Sequence, residues 1–399
     1  MKIPDYDAVV VGAGPAGSIA ARFLAEKGVK TLVVDKKQEI GTPKRCAEGI
    51  NTSGLEAVGL KPDPCWVTSE ITGSTIHSPG GGKVVCKFSK GYVLERKIFE
   101  KHLAMDAIRA GARYMVKTRA IEAIKEGDKV TGIRAEFMGE EFTINSKLVI
   151  AADGVDSKIA RSAGINTTNK MTDYHSGFQY EMAGLNLEGH DMLHLYFGNE
   201  IAPKGYVWIF PKGKDVANVG IGILASQSEE GNRARDYLDR FIESHPETFG
   251  NSSPIEINTG GIPVSSSVDT FVMDGFMIVG DAAHQVNPIH GGGMAIAMKA
   301  AKLCAEVGAQ AIKEGNVSKE RLYEYEKTWR ETEGVKLQKL FKLRIFLEKL
   351  NDNDFEKFAD ILSEEDIIKL TNAEYKSLFK TFARKAPKIL PLALKFLSG

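Results

Sequence analysis

The stretch YDAVVVGAGPAGSIAARFLAEKGVKTLVVDKK (residues 6–37) decides the fold. Asp7 to Val11 reads as a buried strand, and Gly12, Gly14 and Gly17 follow it as GxGxxG. Ala20, Ala21, Phe23 and Leu24 then repeat at helical spacing. Gly28 ends the helix, Thr31 to Val34 makes a second strand, and Asp35 stands at its tip. Each part has a physical task. Gly12 permits a tight turn, Gly14 lets the backbone approach a pyrophosphate, and Gly17 lets helix and strand pack closely. The free N–H groups at the helix start, Ala16 among them, favour phosphate. Asp35 is placed to accept hydrogen bonds from a ribose. Strand, glycines, helix, strand and acid in this order predict a dinucleotide-binding βαβ unit.

Two later segments narrow the cofactor. LVIAADGVDSKIARSAG (148–164) is a strand ending in Asp153-Gly154, with Ser157 and Arg161 after it. GFMIVGDAAHQVNPIHGGGMAIAMKAAKLCAEV (275–307) is a strand, Gly280-Asp281, Pro288, and then glycines opening a long helix. Both resemble the DG and GD motifs of FAD-dependent enzymes of the aromatic-hydroxylase type. That resemblance implies FAD, with Gly280 and Asp281 at the ribityl chain. It also implies that Gly292, Gly293 and Met294 set a helix N-terminus beneath the flavin, where the dipole favours the reduced ring's charge. By the same resemblance Arg96 contacts the phosphate or ribose, and the backbone of Ala120 meets the adenine.

Composition excludes several classes. Lys+Arg and Asp+Glu both number 52, so no global charge invites nucleic acid. The four cysteines, Cys46, Cys65, Cys86 and Cys304, form no CxxC pair, which argues against a zinc ribbon or a cysteine-ligated cluster. No metal site is expected. The first apolar run is too short for a signal peptide, and no apolar stretch reaches the roughly 20 residues of a membrane span. A cytoplasmic protein is expected. The motifs divide the 399 residues into a discontinuous FAD-binding domain (1–62, 90–165 and 267–315), a β-rich substrate domain (63–89 and 166–266) and a helical C-terminal region (316–399). The expected class is thus α/β, α+β overall, with a Rossmann-like cofactor domain and an antiparallel substrate sheet.

IGTPKRCAEGI (40–50) and APKGYVWIFPKG (202–213) carry the rest. Alternation in the second places Tyr206, Trp208 and Phe210 on one face of a strand. That face suits either a core or a wall for a greasy ligand. Together with the GD segment, these stretches resemble the geranylgeranyl reductase family, in particular its archaeal branch. The resemblance implies hydride delivery from the reduced flavin N5 to a C=C bond of a prenyl chain in an isoprenoid membrane lipid. Tyr206, Trp208 and Phe210 would then line a tunnel. Arg45, Cys46, Ala47 and Gly49 would meet the flavin through their backbone. The proton donor stays open among Cys46, Tyr206, His290, Glu48 and His284, and Cys46 with Cys304 is a possible redox pair. Two rivals share the fold: a flavin monooxygenase or halogenase, since YVWIFP approaches a WxWxIP element, and an electron-transfer flavoprotein serving quinone. No second GxGxxG identifies the electron donor, which leaves ferredoxin, a reduced deazaflavin or NAD(P)H. Two basic stretches, 335–350 and 375–399, suit either an interfacial helix at the inner face of the membrane or packing onto the cofactor domain.

Overall fold

The computed structural model describes residues 5–374. In chain order its elements are β1 (Tyr6–Val11), α1 (Pro15–Glu26), β2 (Thr31–Val34), β3 (Gly49–Asn51), α2 (Thr52–Glu56), β4 (Val67–His77), β5 (Lys83–Leu94) and α3 (Arg96–Arg109). There follow β6 (Arg113–Met115), β7 (Thr118–Glu126), β8 (Lys129–Phe137), β9 (Glu140–Ala151), α4 (Lys158–Ala163), β10 (Tyr174–Ala183), β11 (Met192–Phe197), β12 (Tyr206–Pro211) and β13 (Val216–Leu224). The remainder is α5 (Ala234–Glu243), α6 (Pro246–Phe249), β14 (Ser253–Pro263), β15 (Val272–Met273), β16 (Phe276–Ile278), α7 (Met294–Lys313), α8 (Lys319–Trp329), α9 (Val335–Leu347), α10 (Asp352–Ile361) and α11 (Glu364–Thr371).

The first sheet runs β15-β16-β9-β1-β2-β6, with β7 and β8 extending from β9. Its centre is parallel: β1 pairs with β2 through Val11↔Val34 and with β9 through Val11↔Ala151. Strands buried on both faces need continuous apolar runs, and Val9, Val10, Leu32, Val33, Val149 and Ile150 are fully enclosed. Helices α1 and α7 cover one face, where the small residues Ala20, Ala21, Ala300 and Ala301 are buried. The carboxyl ends of β1, β9 and β16 therefore point the three glycine motifs at one groove.

The second sheet runs β14-β10-β13-β12-β11-β4-β5-β3. Its two faces differ. Val207, Ile209, Val219 and Ile221 pack with Leu238 and Phe241 of α5 in a core of their own. The opposite face carries Trp208, Phe210, Gln179 and Asn218, and it looks toward the 44–49 loop. Two boundaries differ from expectation. β3 pairs into this second sheet, and β5 runs unbroken through residue 90, so the strands at 49–51 and 90–94 belong to it by pairing, while Leu55, Val58 and Leu60 between them pack in the first core. Backbone pairing of Ile50 with Tyr92 holds it there.

The C-terminal helices return to the first core. Leu337, Leu340, Leu343 and Phe346 of α9 are buried in it. The basic 335–350 stretch is thus packed rather than laid on a bilayer, and its Arg344 sits 4 % exposed, 2.7 Å from Asp173. Farther on, Glu356 of α10 accepts from the Ser78 hydroxyl at 3.0 Å, and Glu364 of α11 accepts from the Lys87 N–H at 2.6 Å. The second basic stretch, 375–399, lies outside the described residues. Among those described, no helix is long and apolar enough to cross a membrane.

Candidate active site at the junction of the sheets

The glycine turn after β1 separates its three residues by role. A Cβ on Gly12 would meet the Ala152 carbonyl oxygen at 2.4 Å, and its φ of +102° lies in the left-handed region. A Cβ on Gly17 would sit 1.8 Å from the Gly12 oxygen. Nothing lies within 4 Å of a Cβ on Gly14, which leaves that backbone open. Asp35 accepts from Ala13 N–H at 2.7 Å and Lys37 N–H at 2.8 Å, so it also braces the turn. Each of its oxygens keeps a further lone pair for a ribose.

Opposite the turn, Gly280 (φ +74°) lies close enough to Ala16 that a Cβ would come within 3.2 Å of the Ala16 methyl. Gln285 holds it by accepting from Gly280 N–H at 2.8 Å, and Gln285 in turn donates to the Tyr325 hydroxyl. Asp281 projects from this loop with no hydrogen-bond partner among the described residues. Burial raises its pKa, and the charge of Arg96 opposes that rise. Asp153 is similar: one oxygen accepts from Ile159 N–H at 3.0 Å, the other is buried without a partner, and burial raises its pKa. An open glycine backbone, an unpartnered Asp281 and an orphaned Asp153 oxygen are what a bound dinucleotide would fill or satisfy, so these residues fit FAD. Ala120 of β7, paired with Ala135 of β8, is half-buried at the outer end of the same sheet.

Arg96 starts α3 and pairs with Glu100 at 2.6 Å, while donating to the Arg45 carbonyl at 3.4 Å. Burial opposes its charge, but Glu100 and Cys46 outweigh it and the pKa rises. The Arg45 side chain itself is exposed. The Cys46 sulfur accepts from Glu48 N–H at 3.1 Å. Phe210 covers Gly49, where a Cβ would come within 2.8 Å of the ring.

Tyr206, on the same face of β12, donates its hydroxyl to the His290 carbonyl at 2.6 Å. Burial first, and Cys46 second, push the phenol pKa up. His290 Nδ1 accepts from Gly292 N–H at 3.1 Å, which packs the ring so near Gly292 that no side chain fits there. Desolvation by the surrounding atoms lowers the His290 pKa to about 4, although the side chain keeps solvent exposure in this structure. His284 is fastened between the Ser265 hydroxyl at 2.7 Å and the Thr167 carbonyl at 3.2 Å, a structural setting.

Three expectations change. Trp208 is not among the residues lining the hollow at Tyr206: it is 7 % exposed, and its indole N–H donates to Gln179 at 2.9 Å. Its ring lies over Gly220, whose missing side chain makes the space. A hollow of about 50 Å³ lies instead beside Tyr206, with Phe197, Ile289, Leu347 and Phe355 around it and Lys204, Arg344 and Glu348 at its polar side. It has room for a segment of a prenyl chain, not its full length. Cys46 and Cys304 form no pair. Both are free thiols. Cys304 is ten residues into α7, about 15 Å along the axis, and its sulfur contacts Met277 at 3.7 Å.

Sequence reading missed a buried ion cluster. Lys44, wholly enclosed, pairs with Glu48 at 3.1 Å and with Glu181. Lys212 pairs with Glu48 at 2.8 Å, Glu95 at 2.8 Å and Glu181 at 3.1 Å. Burial would raise the Glu181 pKa, but the two lysines lower it. The one local signal was that each lysine follows a proline, at 43–44 and at 211–212.

Comparison with known proteins agrees with this geometry. Residues 173–262 match the geranylgeranyl reductase catalytic domain, and residues 7–195 match the FAD dependent oxidoreductase family. The digeranylgeranylglycerophospholipid reductase 1 of Methanothermobacter thermautotrophicus is 42% identical over 396 residues, 98% of either chain. That of Methanothrix thermoacetophila is 44% identical over 389 residues, 96% of this chain and 97% of its own. A crystal structure of a geranylgeranyl bacteriochlorophyll reductase-like protein from Thermoplasma acidophilum superposes with a TM-score of 0.91 at 37% identity, covering 99% of this chain and 100% of the other. The flavin-dependent brominase Bmp2, at TM-score 0.76 and 20% identity over 99% of each chain, shares the fold alone. The chain therefore belongs to the geranylgeranyl reductase family of FAD-dependent oxidoreductases.

Proposed function

We propose that the protein reduces C=C bonds in the geranylgeranyl chains of archaeal-type membrane phospholipids. Bound FAD, once reduced, supplies the hydride. The residues supply the rest. The Gly12–Gly17 turn, Asp281 and the start of α7 hold the cofactor. Tyr206 and Phe210 face the junction between β12 and the 44–49 and 288–293 segments, where an isolated alkene can be held by shape and apolar contact. Such an alkene has no polar handle, so placing it is the main catalytic contribution. Exclusion of water by the surrounding apolar side chains protects the reduced cofactor from side reactions. The observation that carries this reading is the largely apolar hollow at Tyr206, which Pro288 and Ile289 of the Gly280–Gly293 segment also line. The candidates for the proton that completes the addition are Cys46, Tyr206, His290, Glu48 and ordered water.

Electrons come from an external donor: ferredoxin, a reduced deazaflavin or NAD(P)H. The lipid is met at the cytoplasmic face of the membrane, with residues 375–399 as the contact. Mass spectrometry of the lipid after incubation with dithionite-reduced holoprotein tests the chemistry. A gain of two hydrogens per double bond is expected; a gain of oxygen or halogen would overturn the proposal. Sedimentation with anionic liposomes, full chain against a chain ending at residue 374, tests the contact. Equal binding of the two would remove the tail's role.

A further inference from the structure

The ion cluster under the 44–49 loop does more than join two segments. Glu48 stands at φ +74°, a left-handed conformation that costs a residue with a side chain and persists only where the surroundings over-determine it. The surroundings do so. Glu48 Oε1 accepts from Arg96 N–H at 2.7 Å, and Oε2 accepts from Asn218 Nδ2 at 2.7 Å and from both lysines. Its carbonyl accepts from Leu94 N–H at 3.0 Å. The two peptide units before it are held as firmly. The Cys46 carbonyl accepts from Gln179 Nε2 at 3.1 Å, and the Ala47 carbonyl accepts from Asn218 Nδ2 at 3.1 Å. Gln179 also donates to Asn218 Oδ1 at 3.0 Å and accepts from Trp208, so Trp208 orients the amide that orients the loop.

In a trans peptide the N–H points opposite to its C=O. Both carbonyls are drawn down to the second sheet, so the two intervening N–H groups turn away from it. That of Glu48 is used within the loop by the Cys46 sulfur. That of Ala47 has no partner among the described residues. Arg96 and Tyr206 both lie near Cys46, and Arg96 lies near Asp281. Buried ion clusters are seldom a net gain over apolar packing. Several charged groups and two amides are therefore committed here to one backbone shape.

We propose that Glu48, with Lys44, Lys212 and Asn218, is a positioning set that aims the Ala47 N–H and the Cys46 thiol at the flavin. The aiming rests on the FAD assignment; its effect on turnover rests on the lipid reading above. Cys46 and Ala47 touch the site, while the four positioning residues act through them.

The test uses the full-length protein with Cys65, the exposed cysteine, changed to Ser. Cys86 and Cys304 are buried, which leaves Cys46 as the accessible thiol among those described. Two variants are compared, Glu48→Gln and Asn218→Leu. The second keeps every charge, so it decides the matter if Glu48→Gln fails to fold. Three results are expected in a folded variant. The rate of Cys46 modification by a thiol reagent changes by at least about threefold. FAD affinity of the apo-protein, followed by flavin fluorescence, falls about tenfold, the worth of one good hydrogen bond. The kcat for lipid reduction falls about tenfold while KM stays within about twofold. Thiol rate, FAD affinity and kcat all unchanged in folded Asn218→Leu would overturn the proposal. If thiol rate and FAD affinity shift but the unmutated protein reduces no lipid, the positioning role stands and the lipid reading fails. If the unmutated protein reduces lipid and the variants match it throughout, the reverse holds.

Discussion

The two sheets approach the cofactor groove in opposite ways. At the β1–α1 turn of the first sheet, the pieces that matter lie within about thirty residues and act by size alone. Gly12 and Gly17 are required because backbone oxygens occupy the space a Cβ would need, and Gly14 is required because the space must stay empty. On the inner face of the second sheet, charge and hydrogen bonding do the same job across long separations. Lys44 meets Glu181 137 positions away, and Asn218 meets Glu48 170 positions away. Steric exclusion is cheap and local. A buried ion cluster is costly and cooperative, and it shapes a loop that has no secondary structure to hold it.

This contrast can be broken at several points. The largest effect is expected at Gly17→Ala. Its methyl would sit 1.8 Å from a backbone oxygen that cannot move aside, and the loss of β1–α1 packing should abolish soluble holoprotein. Gly14→Ala, three residues earlier in the same motif, should leave the melting temperature within about 2 °C while FAD affinity drops at least about tenfold. Thermal melts with flavin titration distinguish the two, and equal damage at both positions would erase the division of roles within the turn.

Next in size is Lys212→Met, which leaves Glu48, Glu95 and Glu181 short of a cation in a site where Lys212 is 3% exposed. Urea unfolding should show a loss of about 3–5 kcal/mol. A loss below about 1 kcal/mol would mean the cluster is solvated in solution.

An intermediate effect is expected at His77 on the outer part of the second sheet. It is 7% exposed and stacks on Tyr196 at 4.0 Å. Burial, and then His194, lowers its pKa to about 4 from an ordinary 6.5. The folded state thus binds its proton later than the unfolded chain. Its contribution is complete above pH 6.5 and is lost as pH falls toward 4. His77→Leu should remove about 1–3 kcal/mol of the stability difference between pH 7 and pH 4.5, read by urea titration at both. No change in that slope would show that His77 stays solvated.

Asp281→Asn reverses the usual sign. The folded pKa is raised, so ionised Asp281 weakens the apo-protein at pH above its ordinary 3.8, and the penalty vanishes below that value. The apo variant should therefore melt higher at pH 7 and identically at pH 3.5, while binding FAD more weakly. A lower melt at pH 7 would mean that Asp281 has a stabilising partner in solution. The smallest effect belongs to Lys101→Met. Its pair with Glu39 has side chains 42% and 48% exposed, and denaturation should register no change.

Much of the site could be read from the chain because its determinants are short-range. Apolar periodicity and three glycines specify β1, α1 and their turn, since sterics operate between residues close in sequence. The GD segment was legible for the same reason: Gly280 takes a φ of +74° against the Ala16 methyl, and the His290 ring leaves no room for a side chain on Gly292. Alternation in YVWIFP correctly put Tyr206, Trp208 and Phe210 on one face.

What lies against that face was settled only by folding. Period-two patterning states which side chains share a side, not whether the opposing surface is ligand, loop or solvent, and so Trp208 became a brace for Gln179 while Tyr206 bordered the hollow. The basic α9 stretch likewise could have met lipid or protein, because its leucines suit either, and only packing chose protein. Cys304 lies ten residues into α7, against Met277 rather than Cys46. Lys44, Glu48, Lys212 and Asn218 are individually ordinary polar residues; their meaning arises when water is excluded around all of them together, and dielectric environment is a property of the assembled interior rather than of any segment.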